Sequence, residues 1–342
     1  MADPVESVLR MVRGAWVTLA LRGACVLGVF DELGEPVSLD LLAERTGSDP
    51  APLARLLRVL VDAGLVEQVE GAEEVGAYRN TALGATIRAD HPSRLCDLLL
   101  MQATPANLGA WGAVDDAVRS GASVFEQVNG QQYWDFLAGE PATQARFNAS
   151  MARRGAGQVA ALLAAVDLGA SSTLVDVGGG RGAMVAGLLR AVPTLRARVA
   201  DQPAMAVEAD AFFTSEGLDE RASGAACDFF LSVPEGADVY TISNVLHDWD
   251  DEDSVAILGT VRRAMPAHAR LLVVEHVLDA PGRSADQQRD VHLVDLHMLV
   301  MFGARERTKA EYDELLVAAG FTASVLADMG TDWNVLEARP AG

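Results

Sequence analysis

The stretch LVDVGGGRGAMVAGLLRAVP, residues 174–193, decides the fold of this 342-residue chain. Its apolar beginning leads into a glycine-rich loop at residues 178–182, and a pattern of helical spacing follows from Ala183. Glycines let a backbone turn sharply and approach a ligand closely, and the helix N-terminus that follows is partly positive. The order of strand, glycine loop and helix therefore predicts the opening unit of a Rossmann-like domain that binds a ligand at the loop.

The rest of the C-terminal half alternates between apolar runs and helical spacing. We predict strands at residues 173–177, 197–200, 238–242, 270–275, 322–327 and 333–338, with helices at residues 183–192, 204–216, 253–265 and 309–319. Such alternation is typical of a parallel, doubly wound α/β sheet, whose ligands bind at the carboxyl ends of its strands.

The N-terminal third predicts helices with a small antiparallel sheet. Ser38 can cap a helix that ends at Gly47, a second helix fits residues 51–63, and a strand, a turn and a return strand fit residues 65–81. Two helices followed by two strands form a winged-helix pattern, which we interpret as a dimerisation domain. We predict this domain at residues 1–105, a helical linker and substrate-capping region at 106–165, and the Rossmann-like domain at 166–342.

Charge and composition limit the partners of the chain. The formal net charge is −21, and the second helix of the winged-helix pattern carries only Arg55 and Arg58 as basic residues. A polyanion repels phosphate backbones, so we expect no nucleic-acid partner, and a DNA-binding regulator is kept as the alternative from another class. The three cysteines form no CxxC pair, and no leader peptide or long apolar span stands out. We therefore expect a cytoplasmic protein with no membrane partner.

The glycine loop by itself fits two cofactors. Gly178, Gly180 and Ala183 satisfy the dinucleotide pattern G-x-G-x-x-A, and the same loop could hold the amino-acid end of S-adenosylmethionine. Asp176 lies on the strand just before the loop, where a carboxylate suits an ammonium group better than a pyrophosphate. This acid favours S-adenosylmethionine.

Two further acids stand where the adenosine half of a cofactor would lie. Asp201 ends the next strand, which suits a carboxylate that binds ribose hydroxyls. Asp228 precedes Phe229 after the following turn. A carboxylate can bond the adenine amino group while a neighbouring aromatic ring stacks on the base, so we predict cofactor contacts at all three residues.

The stretch TISNVLHDWDDEDSVAIL, residues 241–258, places a histidine just past a strand end. His247 therefore falls at the edge of the sheet where ligands bind. Imidazole has the side-chain pKa nearest neutrality, which suits proton abstraction. The acidic cluster at residues 250–253 fits a helix start, because acids there complement the helix dipole. We predict a general base at His247 and no metal site.

Five motifs together resemble a known enzyme family. They are VDVGGGRG at residues 175–182, DQP at 201–203, DFF at 228–230, LHDWDDED at 246–253 and GARERT at 303–308. This order is similar to that of the S-adenosylmethionine-dependent small-molecule O-methyltransferases, which include plant phenolic, hydroxyindole and actinobacterial natural-product enzymes. The resemblance covers nearly the whole chain. It implies the class I methyltransferase fold, S-adenosylmethionine as cofactor, a homodimer and an aromatic small-molecule substrate.

The resemblance also implies roles for individual residues. His247 would take the proton of the substrate hydroxyl, while Glu275 and Glu306 would orient its ring. The implied cofactor contacts are Asp176, Gly178, Gly180, Gly182, Asp201, Asp228, Phe229, Ser243 and Trp249. The implied substrate contacts are Phe147, Met151, Asn244, Met298, Met301 and Phe302.

Two positions depart from the plant enzymes that the chain resembles. Ser243 stands where those enzymes have a lysine four positions before the histidine, and Gly155 stands where they have a serine. In the plant enzymes both positions touch the cofactor or its water. Some bacterial members of this fold catalyse other reactions, so hydroxylation or decarboxylation of a polyketide is the alternative function. An NAD-dependent dehydrogenase is a more distant one.

Overall fold

The computed structural model describes residues 3–69, 76–169 and 171–342. The chain forms two compact units whose segments alternate along the sequence. Unit 1 contains Met1–Leu108 and Leu137–Arg153, and unit 2 contains Gly109–Phe136 and Arg154–Gly342. The domain boundaries placed from the sequence at residues 105 and 165 stay predictions beside this division.

The first hundred residues fold into helices and a small antiparallel sheet. The helices are α1 (Pro4–Val26), α2 (Val29–Glu32), α3 (Leu39–Thr46), α4 (Pro50–Asp62), α5 (Ala82–Ala85) and α6 (Leu95–Gln102). Strands β1 (Val37–Ser38), β2 (Val66–Val69) and β3 (Ala77–Asn80) pair in the order β1-β3-β2. The predicted helix pair and return strand are confirmed, whereas most of the predicted turn, residues 70–75, lies outside the described residues.

Local chemistry sets the ends of the helix pair. The Ser38 hydroxyl accepts a hydrogen bond from the Leu41 amide at the start of α3, and Gly47 ends that helix with a φ of 62°. The Asp49 carboxylate accepts from the Ala51 amide at the start of α4. Side-chain acceptors satisfy otherwise unpaired helical amides, and glycine adopts a positive φ without a Cβ penalty. The two helices therefore begin and end where their sequence signals stand.

Five helices follow between residues 105 and 165. They are α7 (Pro105–Gly112), α8 (Val114–Ser120), α9 (Phe125–Asn129), α10 (Tyr133–Gly139) and α11 (Pro141–Ala165). The mainly helical character predicted for this region is confirmed.

A seven-stranded sheet with flanking helices forms the body of unit 2. Its strands are β4 (Thr173–Val177), β5 (Arg196–Asp201), β6 (Ala222–Ala226), β7 (Val239–Ser243), β8 (Arg270–Glu275), β9 (Val325–Asp328) and β10 (Asn334–Ala338). Their order in the sheet is β6-β5-β4-β7-β8-β10-β9. The helices are α12 (Ala183–Ala191), α13 (Pro203–Ser215), α14 (Asp251–Ala264), α15 (Ala285–Phe302) and α16 (Lys309–Ala318). The predicted Rossmann-like doubly wound sheet is confirmed.

The sheet departs from the prediction in its last strand. Strand β10 pairs antiparallel with both β8 and β9, whereas the other paired strands run parallel. Only residues 329–333 connect β9 to β10. A parallel neighbour needs a crossover of about a dozen residues or more, so this short connection forces a hairpin.

Strand β6 and helix α15 were missing from the predicted elements. The sequence of β6 is ASGAA, without the β-branched or aromatic residues that indicate a strand. A Cβ atom added to Gly224 would lie 2.1 Å from the backbone oxygen of Ala206, so α13 packs directly against this strand. Close packing therefore selects small residues here and removes the usual strand signal.

The central strands bring the predicted site residues to one edge of the sheet. Strand β4 pairs in parallel with β5 and with β7, so the carboxyl ends of all three lie together. Alternate residues of β4 enter two apolar clusters: Val175 belongs to one and Leu174 to the other. Burial of each such side chain contributes about 1.5–3 kcal/mol, which makes the sheet a firm support for the loops at this edge. Among the described helices none is long and apolar enough to cross a membrane.

Candidate active site

The glycine loop leaves open space at its centre. Gly178, Gly180 and Gly182 have φ angles of 72°, 57° and 81°, a region that residues with a Cβ rarely adopt. The Gly180 amide donates a hydrogen bond to Oδ2 of Asp201 at 2.8 Å. A Cβ atom added to Gly180 would meet no atom of the described residues within 4 Å. The loop therefore has room for a ligand beside its middle glycine.

The space beside the Cα atom of Gly182 is much smaller than that beside Gly180. A Cβ atom there would lie 2.4 Å from Cζ of Phe213, whose ring packs against the loop. We expect Gly182→Ala to lower the free energy of unfolding by about 2–5 kcal/mol, through backbone strain and overpacking together. Gly180→Ala is the matched control, because it adds only the backbone strain of about 1–2 kcal/mol. Urea unfolding measures both, and equal losses would contradict the packing argument.

Asp176 packs against the backbone of the glycine loop. Its side chain is buried, and Oδ1 accepts a hydrogen bond from the Thr241 hydroxyl at 2.6 Å. A Cβ atom on Gly179 would lie 2.2 Å from Oδ2 of Asp176, so the carboxyl group packs against the loop backbone. Burial raises the pKa of Asp176 to about 7. Its role toward a ligand ammonium stays a prediction.

The residues predicted to hold the adenosine half lie at the same edge of the sheet. Asp201 accepts hydrogen bonds from the amides of Gly180 and Gln202, and burial raises its pKa. Asp228 is exposed, and Phe229 follows it directly. The ring of Phe229 meets that of Trp249 edge-on, with centroids 6.0 Å apart. The structure therefore places an exposed carboxylate beside an aromatic pair.

Ser243 makes hydrogen bonds to two amide side chains. Its hydroxyl donates to Oε1 of Gln158 at 3.3 Å and accepts from Nδ2 of Asn244 at 3.0 Å. Gln158 Nε2 and Asn244 Oδ1 are buried and have no hydrogen-bond partner among the described residues. Buried amide atoms of this kind are costly when unpaired, so they fit a polar ligand that completes the set.

Glu275 and Glu306 meet His247 in the interior of unit 2. His247 lies on a 3₁₀ turn, Leu246–Asp248, directly after β7, and its side chain is 6% exposed. Its Nδ1 atom lies 2.8 Å from Oε1 of Glu306 and 3.7 Å from Oε2 of Glu275. A carboxylate only accepts hydrogen bonds, so Nδ1 carries a proton and Nε2 is the nitrogen that can accept one. The three residues predicted from the motifs are therefore brought together.

Glu275 is fixed by the turn that carries the histidine. Its Oε1 atom accepts hydrogen bonds from the amides of Val245 and Leu246, both at 2.9 Å. Its Oε2 atom is buried and has no hydrogen bond to any described residue. Burial raises the pKa of Glu275 to about 7. The carboxyl group both holds the turn and places charge near Nδ1.

Opposing effects set the protonation of His247. Burial by itself lowers the pKa of the ring, because it disfavours the charged form. The negative charges of Glu275, Glu306 and Asp248 outweigh burial and raise the pKa to about 10. On these charges alone, His247 holds a second proton at neutral pH.

The three groups also have the donor types of a metal site. Their nitrogen and oxygen ligand atoms all lie within 4.8 Å of one another. Imidazole and carboxylate suit several divalent ions. A proton on Nδ1 satisfies the same geometry, since Glu306 already accepts from that atom.

Arg307 is a site residue that the sequence analysis missed. Its fully buried guanidinium donates to the carbonyl oxygens of Leu246 and Trp249, each at 2.8 Å. The same group donates to Oδ1 of Asp251. Arg307 therefore holds both ends of the segment that contains His247. Arg307 is part of the GARERT motif, from which only the role of Glu306 was predicted.

The predicted substrate residues divide between the two units. Met298 and Met301 are buried on α15, and the Phe302 ring meets that of Tyr133 edge-on with centroids 5.0 Å apart. Phe147 and Met151 are half-buried on α11 and belong to unit 1. Contact of Phe147 and Met151 with a substrate stays a prediction.

Comparison with known proteins identifies the family. A family model described as the O-methyltransferase domain matches residues 111–322, and one described as the O-methyltransferase dimerisation domain matches residues 9–90. A phenazine O-methyltransferase from Lysobacter antibioticus is 34% identical over 99% of this chain and 97% of its own length. The aclacinomycin 10-hydroxylase of Streptomyces purpurascens is 33% identical over 97% of this chain and 90% of its own.

A solved structure that is similar to this chain contains S-adenosylmethionine. The O-methyltransferase NcsB1 of neocarzinostatin biosynthesis, in complex with S-adenosylmethionine and 2-hydroxy-5-methyl naphthoic acid, has a TM-score of 0.79 and 30% identity. The match covers 94% of this chain and 95% of that one. The chain therefore belongs to the S-adenosylmethionine-dependent O-methyltransferases, with the class I methyltransferase fold and an N-terminal dimerisation domain.

Proposed function

We propose that this enzyme methylates a phenolic hydroxyl of an aromatic secondary metabolite, with His247 as general base and without a metal. The observation that carries the proposal is the 2.8 Å contact between Nδ1 of His247 and Oε1 of Glu306. This contact leaves Nε2 as the nitrogen that accepts the substrate proton. A carboxylate on the far ring nitrogen fixes the tautomer and stabilises the imidazolium that forms.

Proton transfer is well matched in this arrangement. A phenol has a pKa of about 10, and the carboxylates around His247 raise its pKa to about 10 as well. Near-equal pKa values allow the proton to move to Nε2 with little cost as the substrate oxygen becomes the nucleophile. S-adenosylmethionine, when bound, supplies an electrophilic methyl group on a positive sulfur. The ring must lose its second proton before it can take the phenol proton, so the neutral form of His247 is the reactive one.

Residues at the carboxyl ends of the central strands have the space, donors and acceptors that would hold S-adenosylmethionine. Gly180 has space for the amino-acid end, and the unpaired Gln158 Nε2 offers a donor beside Ser243. Asp201 would accept from the ribose hydroxyls, and Asp228 with Phe229 would hold the adenine. Trp249, whose ring meets that of Phe229, would lie on the same side of the adenine.

Calorimetric titration with S-adenosylhomocysteine, with NADH as a parallel control, tests the cofactor. A product assay then tests the reaction, by following S-adenosylhomocysteine formed with a panel of phenols. Binding of S-adenosylhomocysteine together with its release from a phenol supports the proposal. Binding without release from any phenol favours other chemistry, which the hydroxylase relative makes the second candidate.

Metal independence gives a separate prediction. We expect turnover to be unchanged after dialysis against EDTA, because Glu306 and His247 satisfy each other through a proton. Apoprotein that is then supplied with Mg²⁺, Mn²⁺ or Zn²⁺ should show no gain in rate. A metal-restored activity would instead assign the ligand set of His247, Glu275 and Glu306 to an ion.

We also propose a homodimer. Met11 and Trp16 on α1 are 77% and 68% exposed within the single chain, and Val8 and Val12 are exposed beside them. An apolar stripe of this kind marks a protein interface. It falls within or next to the matched dimerisation domain at residues 9–90. Sedimentation equilibrium tests the proposal, and a monomeric mass at micromolar concentration would refute it.

A further inference from the structure

Helix α15 carries a histidine that the proposed reaction does not use. Nε1 of Trp111 donates a hydrogen bond to Nδ1 of His297 at 3.1 Å. The two rings are inclined by only 20°, with centroids 6.0 Å apart, so they lie close to parallel. Both residues belong to unit 2 and are partly exposed.

This hydrogen bond fixes which nitrogen of His297 carries the proton. The indole N–H is a donor only, so Nδ1 of His297 must accept. A neutral imidazole has one donor and one acceptor nitrogen, and Nε2 is therefore the donor. Burial and the positive charges of Arg154 and His247 together lower the pKa of His297 to about 4. The ring is thus neutral at physiological pH and presents one N–H group.

The Nε2–H group of His297 is open to a partner. It makes no hydrogen bond to any residue that the structure describes, and it is not among the buried unpaired atoms. This distinguishes it from Nδ1, which is occupied. A donor that is accessible and unused by the protein can exchange its water for an acceptor of a ligand.

His297 lies on the helix that lines the catalytic turn. Helix α15 packs against the Leu246–Asp248 turn. Two residues before His297, Asp295 accepts a hydrogen bond from the backbone amide of Glu306. The next residue is Met298, one of the predicted substrate contacts. The free N–H group is therefore carried by the same element that positions the base and its partner.

We propose that His297 determines substrate specificity by donating its Nε2–H to a carbonyl oxygen of the aromatic substrate. The inference rests on the proposed methylation of a phenol, and it defines the substrate class as hydroxyaryl ketones or quinones. A neutral carbonyl is favoured over a carboxylate, because Glu275, Glu306 and Asp248 already concentrate negative charge around His247. Trp111 is a positioning residue, since it acts through the tautomer of His297.

Matched pairs of substrates test the role of His297. The pairs are naphthols with one ketone at a varied ring position, and the same naphthols with CH₂ in place of C=O. We expect wild-type kcat/KM to favour at least one ketone by about 2- to 13-fold, the range of one neutral hydrogen bond. His297→Leu should remove that preference while leaving turnover of the CH₂ compounds unchanged.

Two conservative variants sharpen the test. His297→Gln should keep part of the preference, because the glutamine Nε2 group can donate from a similar position. Trp111→Phe should weaken the preference, and ¹⁵N imidazole spectra of that variant should lose the fixed pattern of an Nε2–H tautomer. The same ketone preference in wild type and His297→Leu would overturn the proposal.

The remaining outcomes separate the inference from the proposed function. Turnover of the naphthols without any ketone preference in wild type would overturn the role of His297 and leave the methylation of phenols standing. Failure to form S-adenosylhomocysteine with any naphthol would overturn both. Calorimetric binding of the ketones to protein loaded with S-adenosylhomocysteine should show the same difference of about 2- to 13-fold between wild type and His297→Leu.

Discussion

His247→Ala is expected to lower kcat by about 10²- to 10⁴-fold, the usual contribution of a positioned general base. The variant removes the only imidazole that Glu275 and Glu306 both approach within the described part of the chain. Binding of S-adenosylhomocysteine should stay unchanged, because the glycine loop and Asp201 are untouched. Single-turnover kinetics and calorimetric titration measure the two effects separately.

His247→Gln is the control for the possibility that His247→Ala loses activity because it does not fold. Alanine leaves the buried Glu275 and Glu306 without a cationic partner, whereas glutamine retains an amide that can donate to Glu306. Both variants should be inactive to the same degree if proton transfer is the role of His247. Turnover close to the wild-type value in either folded variant would remove His247 as the base.

The pH dependence of kcat/KM follows from the same cluster. His247 must be neutral to accept a proton, so kcat/KM should rise with pH as the ring deprotonates. Glu275 raises the pKa of His247 by its negative charge. Glu275→Gln keeps an oxygen for the amides of Val245 and Leu246 but removes that charge, so the rising limb should move to lower pH.

A distant carboxylate provides the control for this shift. Glu337 lies on β10 and pairs with Arg270 and Arg339. Glu337→Gln should leave the rising limb where it is. A limb that does not move in Glu275→Gln would show that His247 is not the group that titrates.

The identity of the acid–base residues could be predicted from the motifs, whereas the geometry of these residues could not. His247 stands past a strand end, and Glu275 and Glu306 stand in runs that resemble a family, so each could be named from the sequence. That Glu275 accepts two backbone amides of the histidine turn depends on β7 and β8 being neighbours in the sheet. Sheet order is set by tertiary packing and leaves no local signal.

Contacts between distant segments account for the residues that were missed. Gln158 meets Ser243 from α11, and Trp111 meets His297 from α7. No spacing rule links either pair. The Ser243 departure from the plant lysine was visible in the sequence, whereas the partner that its hydroxyl takes was not. The sharp turn at the loop, by contrast, was predictable, because glycine allows the positive φ that Gly178, Gly180 and Gly182 adopt.

Arg307 has the largest expected effect on stability. Its side chain is fully buried, while its partner Asp251 is half-exposed. The guanidinium satisfies the carbonyl oxygens of Leu246 and Trp249, which flank His247 and Asp248. Five donors in one plane allow these contacts to form together, and lysine cannot reproduce them. The arginine therefore links the folding of this turn to the placement of the base.

Arg307→Met should lower the free energy of unfolding by about 2–6 kcal/mol, because the carbonyl oxygens of Leu246 and Trp249 lose their donor, at about 1–3 kcal/mol for each buried acceptor left unpaired. Arg305→Met is the matched control, since Arg305 pairs with the same Asp251 at 3.0 Å but is 47% exposed. An exposed pair contributes about 1 kcal/mol or less, so the control should lose little. Urea unfolding compares the two variants at the same pH. Similar losses of stability would mean that Asp251, and not the two carbonyl oxygens, is the partner through which Arg307 stabilises the fold. In that case kcat of Arg307→Met would remain near that of Arg305→Met.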